Sequence, residues 1–176
     1  MKRRKTIALI GPESTGKSTL ANDLARLTGG VCIPEYARTY VERLNRPYTQ
    51  EDVLAIAQYQ IKQLSQKEHH ASFLFLDTEL IVTKVWLLDR YGECPEWVEE
   101  AIQTYKPDLY LVCCPDLPFV SDPVRENGNR REELLRWYVR EVERLQVPYV
   151  YIRGRGDARL MDALAAVRKF CGSDVV

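Results

Sequence analysis

Short apolar runs alternate along this chain with longer stretches in which apolar residues return every third or fourth position. Residues 6–10, 31–34, 73–76, 109–113 and 149–152 are near-continuous apolar runs, the pattern of strands buried on both faces. The stretches 17–27, 36–44, 50–66, 80–89, 96–105, 132–145 and 158–170 carry helical spacing. In the first of them Leu20, Leu24 and Leu27 share one face, and Gly29-Gly30 supplies a stop. Pro47 separates the second and third, and Thr49 followed by Asp52 forms a capping pair for the third. A break at 92–95 precedes the helix at 96–105, and 115–129, with four prolines or glycines, is a loop. Five buried strands separated by helices predict an α/β fold, a five-stranded parallel sheet covered on both faces by right-handed crossovers. No linker or repeat divides the chain, so one domain over 1–176 is expected.

The first strand runs into Gly11-Pro12-Glu13-Ser14-Thr15-Gly16-Lys17-Ser18, which fits G-x-x-x-x-G-K-[ST], and a helix opens inside the motif. Holding a triphosphate needs backbone N–H groups that converge on one point. Gly11 and Gly16 let the loop wrap without Cβ clashes, and the helix start adds aligned donors and partial positive charge. Gly11, Glu13, Ser14, Thr15, Gly16, Lys17, Ser18 and Thr19 are therefore the nucleotide-binding set. Lys17 reaches the β and γ phosphates, Ser18 binds Mg²⁺, and Thr19 helps at the α-phosphate. The run 73–76 ends in Asp77, placing an acid at the carboxyl end of a buried strand, where it is the second magnesium holder.

The second strand ends at Pro34-Glu35-Tyr36-Ala37-Arg38. Glu35 either orients an acceptor hydroxyl or caps the next helix; Arg38 either holds an acceptor or phosphate or is a surface arginine. Arg125, Arg130 and Arg131 lie among Asn127, Gly128 and Asn129, and read as a lid that closes on the transferring phosphoryl group. The alternative is a surface loop with helix-capping charges. Arg136, Arg140 and Arg144 recur every fourth residue and read as a solvated face. Trp86 either stacks on a base or packs in the core. Asp116 and Asp122 either bind ribose hydroxyls or shape turns. Arg153-Gly154 either packs an adenine or is a plain turn. His69-His70 face different directions on a helix and are assigned no function.

Charge and composition narrow the partners. The 25 basic residues balance 25 acidic ones, so no electrostatic footprint for nucleic acid is expected and a small anionic ligand fits better. No apolar run is long enough to span a membrane. The basic Met1–Lys5 start leads into a strand too short for a secretory core, and the five cysteines contain no C-x-x-C pair. Reduced thiols in a cytoplasmic protein are expected, without zinc.

Gly11 through Leu20 resembles the P-loop of the ribosylnicotinamide kinase domain of the bacterial NadR proteins. Pro34-Glu35-Tyr36-Ala37-Arg38 with Tyr40, Leu76-Asp77-Thr78-Glu79 with Trp86, and Pro115-Asp116-Leu117-Pro118 through Arg125 are similar to three further blocks of that family. The resemblance runs from about Lys5 to Leu164. It implies a P-loop kinase fold and ATP-dependent phosphorylation of the 5′-hydroxyl of nicotinamide riboside. It also implies Glu35, Asp77 and the lid arginines around the acceptor. On the order of the motifs, Lys17, Glu35, Asp77, Arg125, Arg130 and Arg131 are the expected catalytic set with Mg²⁺ as cofactor, and Glu35, Tyr36, Arg38, Trp86, Asp116, Phe119 and Asp122 are the candidate acceptor contacts. Glu79 stands where the family pattern has aspartate and Phe119 where it has tryptophan. Longer family members carry an adenylyltransferase H-x-G-H motif and a DNA-binding domain; neither is in this chain, so neither activity is expected. The rivals to a nicotinamide riboside kinase are a kinase for another small hydroxyl compound and a nucleotide-sensing module that recruits a protein. The chain has no N-K-x-D guanine motif.

Overall fold

Ile7 and Leu9 turn to one side of strand β1 (Lys5–Ile10), Ala8 and Ile10 to the other, and all four are fully buried. That strand is the centre of the computed structural model, which describes residues 3–66, 71–120 and 128–172. His69, His70, Asp122 and Arg125 lie outside the described residues. After β1 come α1 (Lys17–Thr28), β2 (Val31–Ile33), α2 (Tyr36–Glu42), α3 (Gln50–Ser65), β3 (Phe73–Asp77), α4 (Leu80–Tyr91) and α5 (Glu96–Thr104). They are followed by β4 (Leu109–Cys113), α6 (Arg131–Leu145), β5 (Tyr149–Ile152) and α7 (Gly156–Cys171). The five strands form one parallel sheet in the order β2-β3-β1-β4-β5. No helix among the described residues is long and apolar enough to cross a membrane.

The two faces of the sheet build two cores. Phe73, Phe75, Leu109 and Leu111 join Ile7 and Leu9 against α1 and α7; Leu74, Leu76, Tyr110 and Val112 join Ala8 and Ile10 against α3 to α6. Every residue of β3 and β4 is buried, which explains the unbroken apolar runs in the sequence. Because the strands are parallel, all five carboxyl ends lie along one edge, and the loops after β1, β2 and β3 meet there.

Some element ends differ from the sequence pattern. Helix α2 stops at Glu42, because Arg43 and Leu44 donate to Tyr40 O and Val41 O three residues back and tighten the last turn. Helix α4 runs on to Tyr91 and is closed by Gly92 at φ 76°, whose N–H reaches Leu88 O.

The cap on α3 forms as its sequence predicts. The Thr49 N–H donates to Asp52 Oδ2 at 2.8 Å, and Arg46 grips the same carboxylate at 2.6 and 3.0 Å. The Arg46 guanidinium, then the Thr49 N–H, hold the Asp52 carboxyl well below the usual carboxylate range. Such an acid stabilises the fold above its unfolded pKa of about 4, and that contribution is lost as pH falls from there through the folded value. Asp52→Asn should lower Tm by about 3 °C or more at pH 7. In thermal melts from pH 7 down to pH 2, the gap between variant and wild type should close below about pH 4. A gap that stays constant across that range would remove the carboxylate's charge from the account.

Candidate functional site

The loop after β1 turns back on itself and opens into α1. Gly11 has φ 147°, and a Cβ built there would lie 2.4 Å from Cys113 O, so the loop passes β4 at a distance only glycine permits. Gly16, at φ 74°, is the left-handed residue before α1, and a Cβ there would press on Leu117 at 3.1 Å. Within the loop, Thr15 Oγ1 donates to Pro12 O at 2.9 Å, and Lys17 Nζ lies across the turn, donating to Gly11 O and Pro12 O at 2.9 Å each. The lysine charge is therefore held at the loop's own centre, where phosphate oxygens would be cradled.

Two acids approach this loop, one at the end of β3 and one in the connection after β2. Asp77 ends β3 opposite Leu9 of β1, is 4% exposed, and its Oδ1 is buried without a hydrogen-bond partner among the described residues. A buried carboxylate oxygen left unpaired is costly unless a cation or donor joins it. Together with the Ser18 hydroxyl at the loop, it fits the oxygen donors Mg²⁺ takes. Glu35 precedes α2, and its side chain makes no cap bond, which leaves the cap reading without a contact. Burial raises the Glu35 carboxyl above its ordinary range; the Lys17 ammonium opposes this and Asp77 adds to it.

One cleft of about 1060 Å³ takes in the phosphate loop and Glu35, while Asp77 lies outside its lining, in the wall of a small cavity that adjoins it at Thr78. The phosphate loop forms one wall, with Gly11 and residues 13–19; Glu35, Arg38 and Thr78 form the floor, and Trp86 and Tyr48 form a corner. The Trp86 and Tyr48 rings meet edge to face at 4.9 Å, and the Arg90 guanidinium lies 5.9 Å over Tyr48. Arg38 pairs with Glu42 at 2.9 Å along α2. Tyr36 stacks on Tyr59 at 3.7 Å and is not among the residues that line the cleft.

The arginines and turn residues after β4 separate into distinct jobs. Arg130 makes a two-pronged pair with Asp89 at 3.0 and 2.8 Å and bonds Glu133, joining α6 to the cleft wall of α4. Arg131 donates to Leu117 O at 2.9 and 3.0 Å, with longer contacts to the Glu13, Ser14 and Pro115 carbonyls, and its guanidinium sits 5.9 Å from the Phe119 ring. It ties the β4 loop to the phosphate loop. Asp116 Oδ2 accepts the Gly154 N–H at 2.7 Å, and Arg153 packs over Tyr151. Phe119, Asp116, Arg153 and Gly154 thus lie outside the cleft lining, and Asp116 works as a brace between two loops.

Three residues with work at this site escaped the sequence reading. Arg159, 4% exposed, donates to Thr15 O at 2.8 Å, Cys114 O at 3.1 Å and Gly154 O at 3.0 Å, bracing the phosphate loop from α7. Its signal was present: Arg159, Ala163 and Val167 fall on one buried helical stripe, so a cation stands at a core position. Tyr48 gives half of the aromatic corner from an irregular connection that has no periodicity to betray it. Thr78 follows Asp77 with φ 72°.

Residues 6–159 match the family model described as AAA domain. The chain is 27% identical over 177 residues to the trifunctional NAD biosynthesis/regulator protein NadR of Escherichia coli (strain K12), covering 96% of this chain and 43% of that one. It therefore spans less than half the length of that curated relative. A crystal structure of NadR protein in complex with NR has a TM-score of 0.82 at 24% identity, covering 98% of this chain and 52% of the other. Deoxyadenosine kinase from M. mycoides, with products bound, has a TM-score of 0.59 at 14% identity, covering 93% and 98%. The expected likeness to NadR proteins is thus found in both sequence and fold, and the five-stranded P-loop kinase architecture is shared with a nucleoside kinase.

Proposed function

The chain belongs to the AAA domain family, and on that premise we propose that it is an ATP-dependent kinase acting on a nucleoside 5′-hydroxyl, with nicotinamide riboside the favoured acceptor. The observation that carries this reading is the meeting of the phosphate loop, Glu35 and the Trp86–Tyr48 corner in one cleft. Its volume of about 1060 Å³ stands at the upper end of the range for a single small ligand, which suits a triphosphate and an acceptor side by side. The aromatic corner offers a π-face to a planar base.

Lys17 and the loop N–H groups hold the triphosphate and meet charge as it moves on to the phosphoryl oxygens. Ser18 and Asp77 would hold Mg²⁺, which neutralises triphosphate charge when bound. Glu35 orients the attacking hydroxyl and takes its proton; a carboxyl raised by burial is the better acceptor for it. The new bond joins the acceptor oxygen to the γ-phosphorus as the bridge to the β-phosphate breaks, leaving ADP. Transfer of this kind has a loose transition state, so placement matters more than base strength.

ADP release from MgATP, followed against a panel of nucleosides that includes nicotinamide riboside, tests the reading. Acceptor-dependent turnover, highest with nicotinamide riboside, is expected. Tight ATP binding with no acceptor-dependent ADP release across the panel would point instead to a nucleotide-sensing module.

A further inference from the structure

A positive charge lies buried behind the phosphate loop, and its partners are almost all neutral. Arg159, in the first turn of α7, gives Nη2 to Thr15 O at 2.8 Å and Cys114 O at 3.1 Å, and Nη1 to Gly154 O at 3.0 Å. Its carboxylate neighbour, Asp116 Oδ2, stands 3.7 Å from Nη1 and already accepts the Gly154 N–H at 2.7 Å. The Nε atom is buried without a partner among the described residues. An arginine this deep is rare unless paired, and a cation shut away with carbonyls costs stability. The helix adds to that cost, because a cation in the first turn meets the positive end of the dipole. Asp157, the acid of that turn, is exposed. Fold stability gives a weak reason for a charge at this point. An anion arriving at the loop gives a stronger one.

The bond to Thr15 O also has a direction. The chain has no cis peptide, and in a trans peptide the C=O and the following N–H point opposite ways. A Thr15 carbonyl held toward α7 therefore turns the Gly16 N–H away from α7. Helix α7 contributes no residue to the cleft lining, whereas residues 13–19 form its phosphate-loop wall. The Leu20 N–H closes the first turn of α1 on Gly16 O at 3.0 Å, so the N–H groups before it are the open donors of a helix start. A charged donor on the carbonyl side polarises the peptide and strengthens its N–H.

We propose that Arg159 is a positioning residue for phosphate binding. Through Thr15 O its buried guanidinium aims and polarises the Gly16 N–H toward the phosphates of the bound nucleoside triphosphate, and its charge supports theirs from behind the loop. Arg159 touches no phosphate; Lys17 meets them from within the cleft. This role deepens the kinase reading, because it rests on nucleotide binding at the same loop, yet its first readout needs no acceptor.

The test compares wild type with Arg159→Met, which keeps an unbranched side chain and removes charge and donors, and Arg159→Lys, which keeps the charge. Calorimetry gives the affinity for MgATP and for inorganic tripolyphosphate, which carries no base. Nitrogen-15 spectra follow the Gly16 amide as tripolyphosphate is added. In Arg159→Met both affinities should fall about tenfold or more and by similar factors, and the downfield move of the Gly16 amide proton should shrink by at least half. Acceptor KM at saturating MgATP should stay within about twofold, and Arg159→Lys should bind tripolyphosphate within about threefold of wild type. A folded Arg159→Met with wild-type tripolyphosphate affinity and an unchanged Gly16 shift would overturn the proposal and leave Arg159 as a structural brace. If Arg159→Met fails to fold, the wild type decides, since a Gly16 amide that tripolyphosphate does not move downfield overturns the proposal equally. If wild type turned over no nucleoside while Arg159→Met still lost tripolyphosphate, the kinase reading would fall and the role of Arg159 would stand.

Discussion

Lys17→Ala lowers kcat for acceptor-dependent ADP release by about 10²-fold or more, and leaves the fold in place. The ammonium sits over the turn of the phosphate loop with two carbonyls at 2.9 Å, so it is already placed where negative charge will arrive. A preorganised donor of this kind is worth far more to the transition state than to the resting protein. Removing it leaves two loop carbonyls that water can solvate, so Tm should move by no more than about 3 °C. Steady-state rates with a matched thermal melt decide the matter. A kcat within about threefold of wild type in a folded variant would end the mechanism proposed above.

Gly11→Ala strikes the same loop through the backbone. Alanine at φ 147° is strained wherever it stands, and here its methyl would also meet Cys113 O at 2.4 Å. The neighbour is a carbonyl of a central strand, which cannot swing aside as a side chain can. The expected cost is about 3 kcal/mol or more of stability, with ATP affinity reduced at least tenfold because the loop must shift away from β4. Denaturant unfolding and calorimetry read the two effects separately. Wild-type values of both would show that the loop and β4 part at little cost.

How much of this was visible in the sequence depends on where each residue's partners lie. The phosphate loop was legible because its chemistry imposes residue types at fixed local spacing, and Gly11, Gly16 and Lys17 each answer a local need. The parallel sheet was legible because β3 and β4 are buried at every position and so read as unbroken apolar runs. The arginines after β4 were not. Arg130 and Arg131 are adjacent, yet one finds Asp89, 41 residues away, and the other the carbonyls of Leu117 and the phosphate loop. Spacing along the chain carries no trace of such partners. The same holds for Asp116, whose brace to Gly154 spans 38 residues, and for Tyr48, whose ring finds Trp86 only once α4 has packed. Thr78 was hidden differently: nothing in a Leu-Asp-Thr-Glu run announces a positive φ, because the strain arises from two hydrogen-bond patterns that meet there.

The brace from Arg159 to Thr15 has a consequence for how the protein is made. The two residues are 144 positions apart, the phosphate loop near the start of the chain and its brace on α7. Ribosomes add about 5–20 residues each second. The loop is therefore synthesised roughly 7–30 s before the side chain that secures it. During that interval a nascent chain carries every residue of the phosphate-binding motif without the contact that holds Thr15 O. The brace on the phosphate loop accordingly belongs to a chain that already includes α7 and not to its emerging first half.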